Sequence, residues 1–497
     1  MNFAVNKIKV ALPVVALIYL TTAIASAYTL LPNVDEAWFT IPGYNLAENG
    51  FFGTSTLEET ANFRQVRLDG INQYTYWIMP LFPLTQAFWG KIVGFGLWQT
   101  RFVSVIFGMI ALSAWFALIR MLTGNNRLAF IAVTVLAFDY HFIYAASLGR
   151  MDMMTAALGV SALAVFARWR GEYFSRAVFF SCFLAALAFF THPLGLIWAV
   201  SLTLLIVFYD FKNLRIKHLI FAGAPFLILG ACWSIYIFQR PDLFAVQFGG
   251  NASDRWGFFR APLIELWSEI KLRYLVNFGI GDDLSRAGQI KIIVLVSYTV
   301  AVAAGFSINS LRKSKAWRFF LLVALQEFVM LLLLDGMKQH YYMIHIIPTL
   351  TVLLAFFTDW LLKNKKLQLP AIALLLVVSA IHLSVAFQRF KKDDYHNNYL
   401  PVAELLNRKI QKDETVMASS ELWFGLNRRE NLLDDYRLGY LTGKKADFIV
   451  MDKPRYKIWF GNLREREPEI FGFMENLLQN KYSIIYDEAI YQVYAGR

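Results

Sequence analysis

The sequence predicts an α-helical polytopic membrane protein that ends in a small soluble α/β domain. Three observations point there. Of 497 residues, 57% are hydrophobic and only 17% charged, whereas soluble chains run nearer about 45–50% apolar and about 25% charged. Apolar runs of about 17–25 residues, the length that crosses a bilayer as a helix, recur along the chain. The stretch from Arg389 to Arg497 differs in kind, with 18 Lys/Arg against 17 Asp/Glu.

The apolar runs fall near 10–31, 100–120, 127–144, 152–168, 176–191, 193–211, 217–238, 289–308, 317–334, 341–360 and 369–387, about eleven transmembrane helices. The first also has the marks of a secretory signal: Lys7 and Lys9, an apolar core, then "AIASAY". Its length favours an uncleaved span. Between the runs, basic residues gather on alternate connections: Lys7/Lys9, Arg120/Arg127, Arg168/Arg170/Arg176, Lys212/Arg215/Lys217, Arg312/Lys313/Lys315/Arg318 and Lys363/Lys365/Lys366. The positive-inside rule makes that face cytoplasmic. The N-terminus is then inside and the C-terminus outside, in the plasma membrane and, for a bacterium, the inner membrane. The net charge of +12 is thus a membrane signature, and no nucleic-acid partner is expected.

The stretch 74–97 tempts a twelfth span. It carries Pro80, Pro83 and Lys91 with Trp and Tyr, and inserting it would invert every later loop. It reads as an interfacial or re-entrant helix. The organisation expected is a transmembrane domain over 1–387, with outer loops 32–99 and 239–288, and a soluble domain over 388–497. In the latter, "VAELLNRKI" has helical spacing, while "TVMAS", "DFIVMD" and "SIIYDEAIYQVY" read as strands. Cys182 and Cys232 both lie in apolar runs, which excludes a disulfide framework.

Polar residues cluster at the outer ends of the spans. Asp35 and Glu36 follow the first; Asp139, His141, Arg150 and Asp152 surround the turn after the third. His192 precedes Pro193, and Asp335, Lys338, His340, Tyr341 and Tyr342 lie before the tenth. Read singly, each has a structural alternative. Asp35 then caps a helix, Arg150 snorkels with Asp152 as an N-cap, His192 opens a helix, and Lys338 to Tyr342 anchor at the interface. Read jointly, cations and imidazoles near a carboxylate base suit a phosphate-bearing, lipid-tethered substrate. Glu327, near mid-membrane, must face protein or water.

"VDEAWFTIPGYNLAENGFFGTST", "YTYWIMPLF", "SLGRMDMMTAALGVSALAVFARWRG", "THPLGLIWAV" and "HYYMIHIIPTLTVLLAFF" run in the order seen in polyprenyl-phosphate-sugar-dependent glycosyltransferases. Over roughly residues 1–360 the sequence resembles the protein mannosyltransferase and aminoarabinose-transferase-like enzymes of the GT-C membrane fold. That resemblance implies an inverting transfer of a sugar from a polyprenyl-phosphate donor to a hydroxyl of a glycolipid, polysaccharide or protein on the outer face of the bilayer. It implies Asp35, Glu36 and Asp152 as catalytic residues. Asp35 would be the base, with Glu36 or Asp152 orienting the acceptor or holding a divalent metal ion. It implies Arg150, Lys338, His340, Tyr341 and Tyr342 at the donor phosphate; His141 and His192 are substrate-binding candidates. The stretch "INQYTYW" lacks the Lys-Pro-Pro of aminoarabinose transferases and leaves the sugar open. The rival classes are a secondary transporter, which would place ionisable residues at mid-membrane in repeated halves, and a non-catalytic membrane scaffold.

Overall fold

The structure is a computed structural model that describes residues 2–57, 68–253, 255, 261–281, 286–427 and 429–497. Parts of both outer loops, 58–67, 254, 256–260 and 282–285, lie outside the described residues. The chain divides into two compact units: 1–26, 102–235 and 253–388 form one, and 27–101, 236–252 and 389–497 the other.

All eleven apolar runs are helical. Eight helices are long and apolar enough to cross a membrane among the described residues: α1 (Asn2–Thr29, apolar from Val10), α4 (Leu97–Thr123), α7 (Met151–Trp169), α8 (Phe174–Thr191), α9 (Gly195–Asp210, carried on to Asn213 by a 3₁₀ turn), α10 (Ile216–Ile237), α14 (Lys315–Leu334) and α16 (Gln368–Lys392). Their backbone groups are satisfied within each helix, which a lipid interior demands. The remaining runs differ from simple spans. The run 127–144 is broken into α5 (Asn126–Phe138) and α6 (Tyr140–Ala146), bent by 64°. At the break, one carboxylate oxygen of Asp139 accepts the N–H groups of His141 and Phe142 at 2.8 and 3.0 Å and starts a new helix. The run 289–308 yields α13 (Ile292–Ser307), only 16 residues long. In 341–360 the α-helix, α15 (Ile347–Lys363), begins late; residues 340–345 form a tighter 3₁₀ segment, and Pro348 occupies the first α turn.

Within the first unit, small residues allow close approach. A Cβ on Gly159 would lie 2.0 Å from Trp198, and one on Gly305 would lie 2.0 Å from Trp317. Trp115 on α4 donates its indole N–H to the Pro348 carbonyl at 3.1 Å. The outer faces stay apolar: on α10, Ile216, Leu219, Leu227 and Ile235 are largely exposed, as lipid-facing residues must be. Glu327 faces protein; Thr349 donates to one of its oxygens at 3.0 Å.

The second unit contains residues 32–99, expected as an outer loop with one interfacial helix, and adds a second helix to them. It contains α2 (Val34–Asn49), packed on α3 (Leu81–Val93). Gly43 of α2 sits so close that a Cβ would lie 2.4 Å from the Pro83 carbonyl oxygen. At 13 residues, α3 is too short to span, as the interfacial reading of 74–97 requires. The unit also includes α11 (Pro241–Ser253) through residue 252 and the chain from Arg389 onward. There a five-stranded sheet has the order β2 (Leu432–Leu433), β1 (Val416–Met417), β3 (Phe448–Asp452), β5 (Tyr491–Gly496), β4 (Tyr482–Glu488). The first three strands are parallel and the last two pair antiparallel. One face packs on α17 (Leu400–Lys409), Trp423 and residues Ala37 and Ile41 of α2; the other is covered by α18 (Lys453–Arg466) and α19 (Pro468–Lys481). The tail is therefore α/β; β1, β3, β4 and β5 overlap the stretches expected as strands, and the short β2 lies outside them.

Candidate active site

The acidic pair opens α2. Asn33 is the N-cap: its side-chain oxygen accepts the Asp35 N–H at 2.9 Å, and its own N–H donates to a Glu36 oxygen at 2.8 Å. This reciprocal capping box is what Asn, then an acidic residue three positions on, writes in sequence. Glu36 is fully buried and held in a two-point ion pair by Arg101, at 2.8 and 2.7 Å. The same guanidinium donates to the carbonyls of Ala27, Leu30 and Leu31, so it ties the end of α1 to the start of α2. Asp35, its neighbour in the first helical turn, is only partly buried. Arg101 escaped sequence reasoning; the signal was a cation at the head of an apolar run, where one is costly unless partnered.

In the other unit, Arg150 is the N-cap residue of α7 and pairs with Asp152 at 2.8 Å, both buried. Its guanidinium lies 4.0 Å from the centre of the Tyr341 ring, a cation–π contact that a guanidinium's flat face makes well. The second Asp152 oxygen, Oδ1, is buried and has no hydrogen-bond partner among the described residues. His192 accepts the Leu194 N–H on Nδ1 at 3.0 Å, which leaves its proton on Nε2, facing the Tyr342 hydroxyl at 3.5 Å. Burial pushes the His192 imidazole down to about 3, so it is neutral in this site. Arg255 also donates to the Tyr342 hydroxyl, at 3.1 Å. His345, not singled out in the sequence, accepts the Trp198 indole N–H on Nδ1 at 3.0 Å; its Nε2, which must then carry the proton, is buried without a partner among the described residues.

Lys338 is buried and sits in a charge network. Its ammonium lies 3.2 Å from Glu265 and 3.6 Å from Glu269. Arg273 pairs with Glu269 and, at 2.7 Å, with Asp335. Asp335 in turn accepts the N–H groups of Met337 and Gln339 at 3.2 and 2.8 Å. These contacts hold Lys338 at φ +52°, a left-handed conformation that costs a non-glycine residue about 1 kcal/mol or more. Three cations (Arg255, Arg273, Lys338) thus stand with three carboxylates (Glu265, Glu269, Asp335). Glu269 and Arg273 were legible only as an i, i+4 pair within a loop.

The structure brings Arg150, Asp152, His192, Tyr341 and Tyr342 together with Arg255. His340 stacks on Tyr341 and Tyr144, centroids 4.0 and 5.7 Å apart. His141 packs against Tyr140 and Phe278 beside the Asp139 cap. Asp35 and Glu36 belong to the other unit. The donor set does not assemble a metal site: among the described residues, no three His, Cys, Asp or Glu side chains converge as metal ligands. Glu36 and Asp152 each spend oxygen atoms on an arginine instead.

No family model and no curated protein sequence matches the chain. Solved structures do. The chain superimposes over 99% of its length on ArnT from Cupriavidus metallidurans bound to undecaprenyl phosphate, covering 98% of that chain at a TM-score of 0.62 and 12% identity. The same protein in its apo state gives a TM-score of 0.57 at 13% identity, with the same coverage. The Archaeoglobus fulgidus oligosaccharyltransferase tethered to an acceptor peptide containing the NVT sequon covers 97% of this chain and 74% of its own, at a TM-score of 0.52 and 12% identity. The fold is that of the GT-C membrane enzymes.

Proposed function

We propose that the protein is an integral-membrane glycosyltransferase that moves a sugar from a polyprenyl-phosphate donor to an acceptor hydroxyl on the extracytoplasmic face. The observation that carries this reading is the full-length likeness to a fold whose solved example holds undecaprenyl phosphate. The buried cations Arg150 and Lys338, with the half-buried Arg255, support it independently.

Asp35 is assigned the base. Its carboxylate takes the proton of the acceptor hydroxyl as that oxygen forms a bond to the anomeric carbon and the bond to the donor phosphate oxygen breaks. A single displacement of this kind inverts the anomeric centre. Glu36, clamped by Arg101, positions the helix turn that carries Asp35. Arg150 and Arg255 are assigned the charge that builds on the departing phosphate, with Tyr342 as their hydroxyl companion. Lys338 and the His340–Tyr341 stack are assigned to the same phosphate, with Lys338 leaving Glu265 to reach it. Asp152 and His192 offer an acceptor and a donor to sugar hydroxyls.

The test is transfer itself. Purified protein in liposomes, given polyprenyl-phosphate sugars, should release polyprenyl phosphate in step with glycosylation of envelope acceptors, and mass analysis of envelope glycans should lose one sugar when the protein is deleted. No turnover with any donor, together with unchanged glycans, overturns the reading. Orientation is tested separately. Cysteines placed at Asn49 and Asn431 should be labelled from outside by an impermeant reagent, and one at Asn125 should not.

A further inference from the structure

The C-terminal domain reaches back to the helix that carries the acidic pair. Ala37, Ile41 and Tyr44 of α2, four and three residues apart, form one helical stripe and share a core with Leu422, Trp423 and Val450 of the tail. Apolar burial is non-directional, and the polar contacts beside it add direction. Trp38, 4% exposed, shares its indole N–H between the Ser420 hydroxyl at 3.0 Å and Asp434 Oδ2 at 3.2 Å. Both acceptors belong to the tail: Ser420 follows β1 and Asp434 follows β2.

Asp434 is the knot. Its Oδ2 also accepts the Ser420 N–H at 2.9 Å and the Ser420 hydroxyl at 2.5 Å. Its own N–H donates to the Thr56 carbonyl at 2.9 Å, and the Thr56 hydroxyl lies 2.8 Å from that of Ser420. One residue thus joins α2, the outer-loop stretch at Thr56 and two loops of the sheet. The arrangement is costly. Asp434 is 2% exposed, and its Oδ1 is buried with no hydrogen-bond partner among the described residues. The neighbouring Glu421 carboxylate is buried too. A buried acceptor left unmade is destabilising, and apolar side chains would hold the same surfaces together at less cost. What a buried polar network adds is one fixed arrangement.

Here the arrangement fixed is the start of α2. Trp38 lies three residues after Asp35, less than one helical turn, and Arg101 holds the same turn at Glu36. A general base must stand within hydrogen-bond reach of its proton, and a displacement of about 1 Å can cost about 10²-fold in rate. We infer that Asp434 and Ser420 are positioning residues for sugar transfer: by gripping Trp38 they hold the α2 turn that carries Asp35, which makes the C-terminal domain a working part of the transferase. This role rests on Asp35 being the base of a transferase.

Hydrogen exchange, read without turnover, separates this role from the transferase reading. In full-length protein held in lipid nanodiscs, Trp38→Phe removes the indole N–H and keeps a ring, Asp434→Leu removes the acceptor at similar size, and Asp434→Asn keeps an acceptor. Trp38→Phe and Asp434→Leu should each speed amide exchange across residues 37–44 by about tenfold or more, the scale of a lost hydrogen bond to a charged group, while β3 and β5 stay as protected as in wild type. Asp434→Asn should leave exchange near wild type. With a polyprenyl-phosphate sugar as donor, the first two variants should lower kcat by about tenfold or more at unchanged KM, because the donor phosphate is assigned to Arg150, Arg255 and Lys338. The double variant should be no slower than the slower single, since both act through one contact. Should Asp434→Leu unfold the tail, Trp38→Phe and Asp434→Asn decide. Wild-type exchange across α2 in Trp38→Phe, an Asp434→Asn effect as large as that of Asp434→Leu, or a loss confined to KM would each overturn the positioning role and leave the transferase reading standing. A wild-type protein that transfers no sugar would overturn the transferase reading instead, and exchange across α2 would still decide whether the tail grips it.

Discussion

Two arginine–carboxylate pairs, Arg101 with Glu36 and Arg150 with Asp152, use the same buried contact in different ways. Glu36 is exhausted: both oxygens accept from Arg101, and one also closes the capping box with Asn33. It cannot take a proton without dismantling the start of α2. Asp152 gives Arg150 a single oxygen, and its other oxygen has no partner among the described residues. A doubly bound pair is a brace, whereas a singly bound one still has an acceptor to offer. The comparison also redistributes the acidic pair's work. With Glu36 spent on holding the turn, Asp35 beside it keeps the role of base proposed for it.

Breaking that assignment should give the largest effect. Asp35→Asn keeps the shape of the turn and removes the base, so transfer should fall by at least about 10²-fold, the lower range for a positioned general base, with donor binding retained. Glu36→Gln should be milder in rate; the reverse ranking would exchange the two roles. Next comes the brace. Arg101→Ala leaves Glu36 buried and unpaired, which typically costs about 3–5 kcal/mol; a chemical-denaturation curve should show it, and Arg101→Lys should restore only part because it cannot make the two-point contact. A wild-type curve for Arg101→Ala would demote the pair to ornament.

A smaller effect is expected at Lys338. Lys338→Ala should weaken donor use by about 1.5–3 kcal/mol, the range for a hydrogen bond to a charged group, read as a rise in KM for the polyprenyl donor. Since Glu265 and Glu269 would be left facing one another's charge, Glu265→Gln added to it should recover stability without recovering donor affinity. Donor dependence unchanged from wild type would return Lys338 to a purely structural part. A further prediction concerns pH. Burial pushes the Asp434 carboxyl from about 3.8 up to about 7, so between those values the folded chain holds a proton that the unfolded chain has released. Stability should therefore fall as pH rises through that window and level off above it. Asp434→Asn should flatten the slope, and a slope identical to wild type would place the titration elsewhere.

Much of this architecture is legible in the residues because its causes are local. A run such as 217–238 has one way to satisfy its backbone in lipid, and the short α3 announces itself through Pro80 and Pro83 at one end and Gly94 at the other. The capping box of Asn33 and Glu36 is spelled out within four residues. Even the tail's strands show, since "DFIVMD" buries every residue of β3, as a central strand does. The Asp139 break was readable in part: an acidic residue in an apolar run is as much a cap as a misplaced charge.

What the sequence by itself determined is thus the helical, apolar character of the runs, the α/β tail and the positions where polar chemistry gathers. Tertiary structure alone decided which charge meets which. Arg101 reaches Glu36 across 65 positions, and Arg273 reaches Asp335 across 62; no periodicity links them. In lipid-like surroundings each buried charge must find a counter-charge. That requirement predicts that partners exist, but only the packed helices select them. The same selection left Asp152 and Asp434 each with one oxygen unclaimed among the described residues, a difference of a single hydrogen bond that composition and spacing cannot encode.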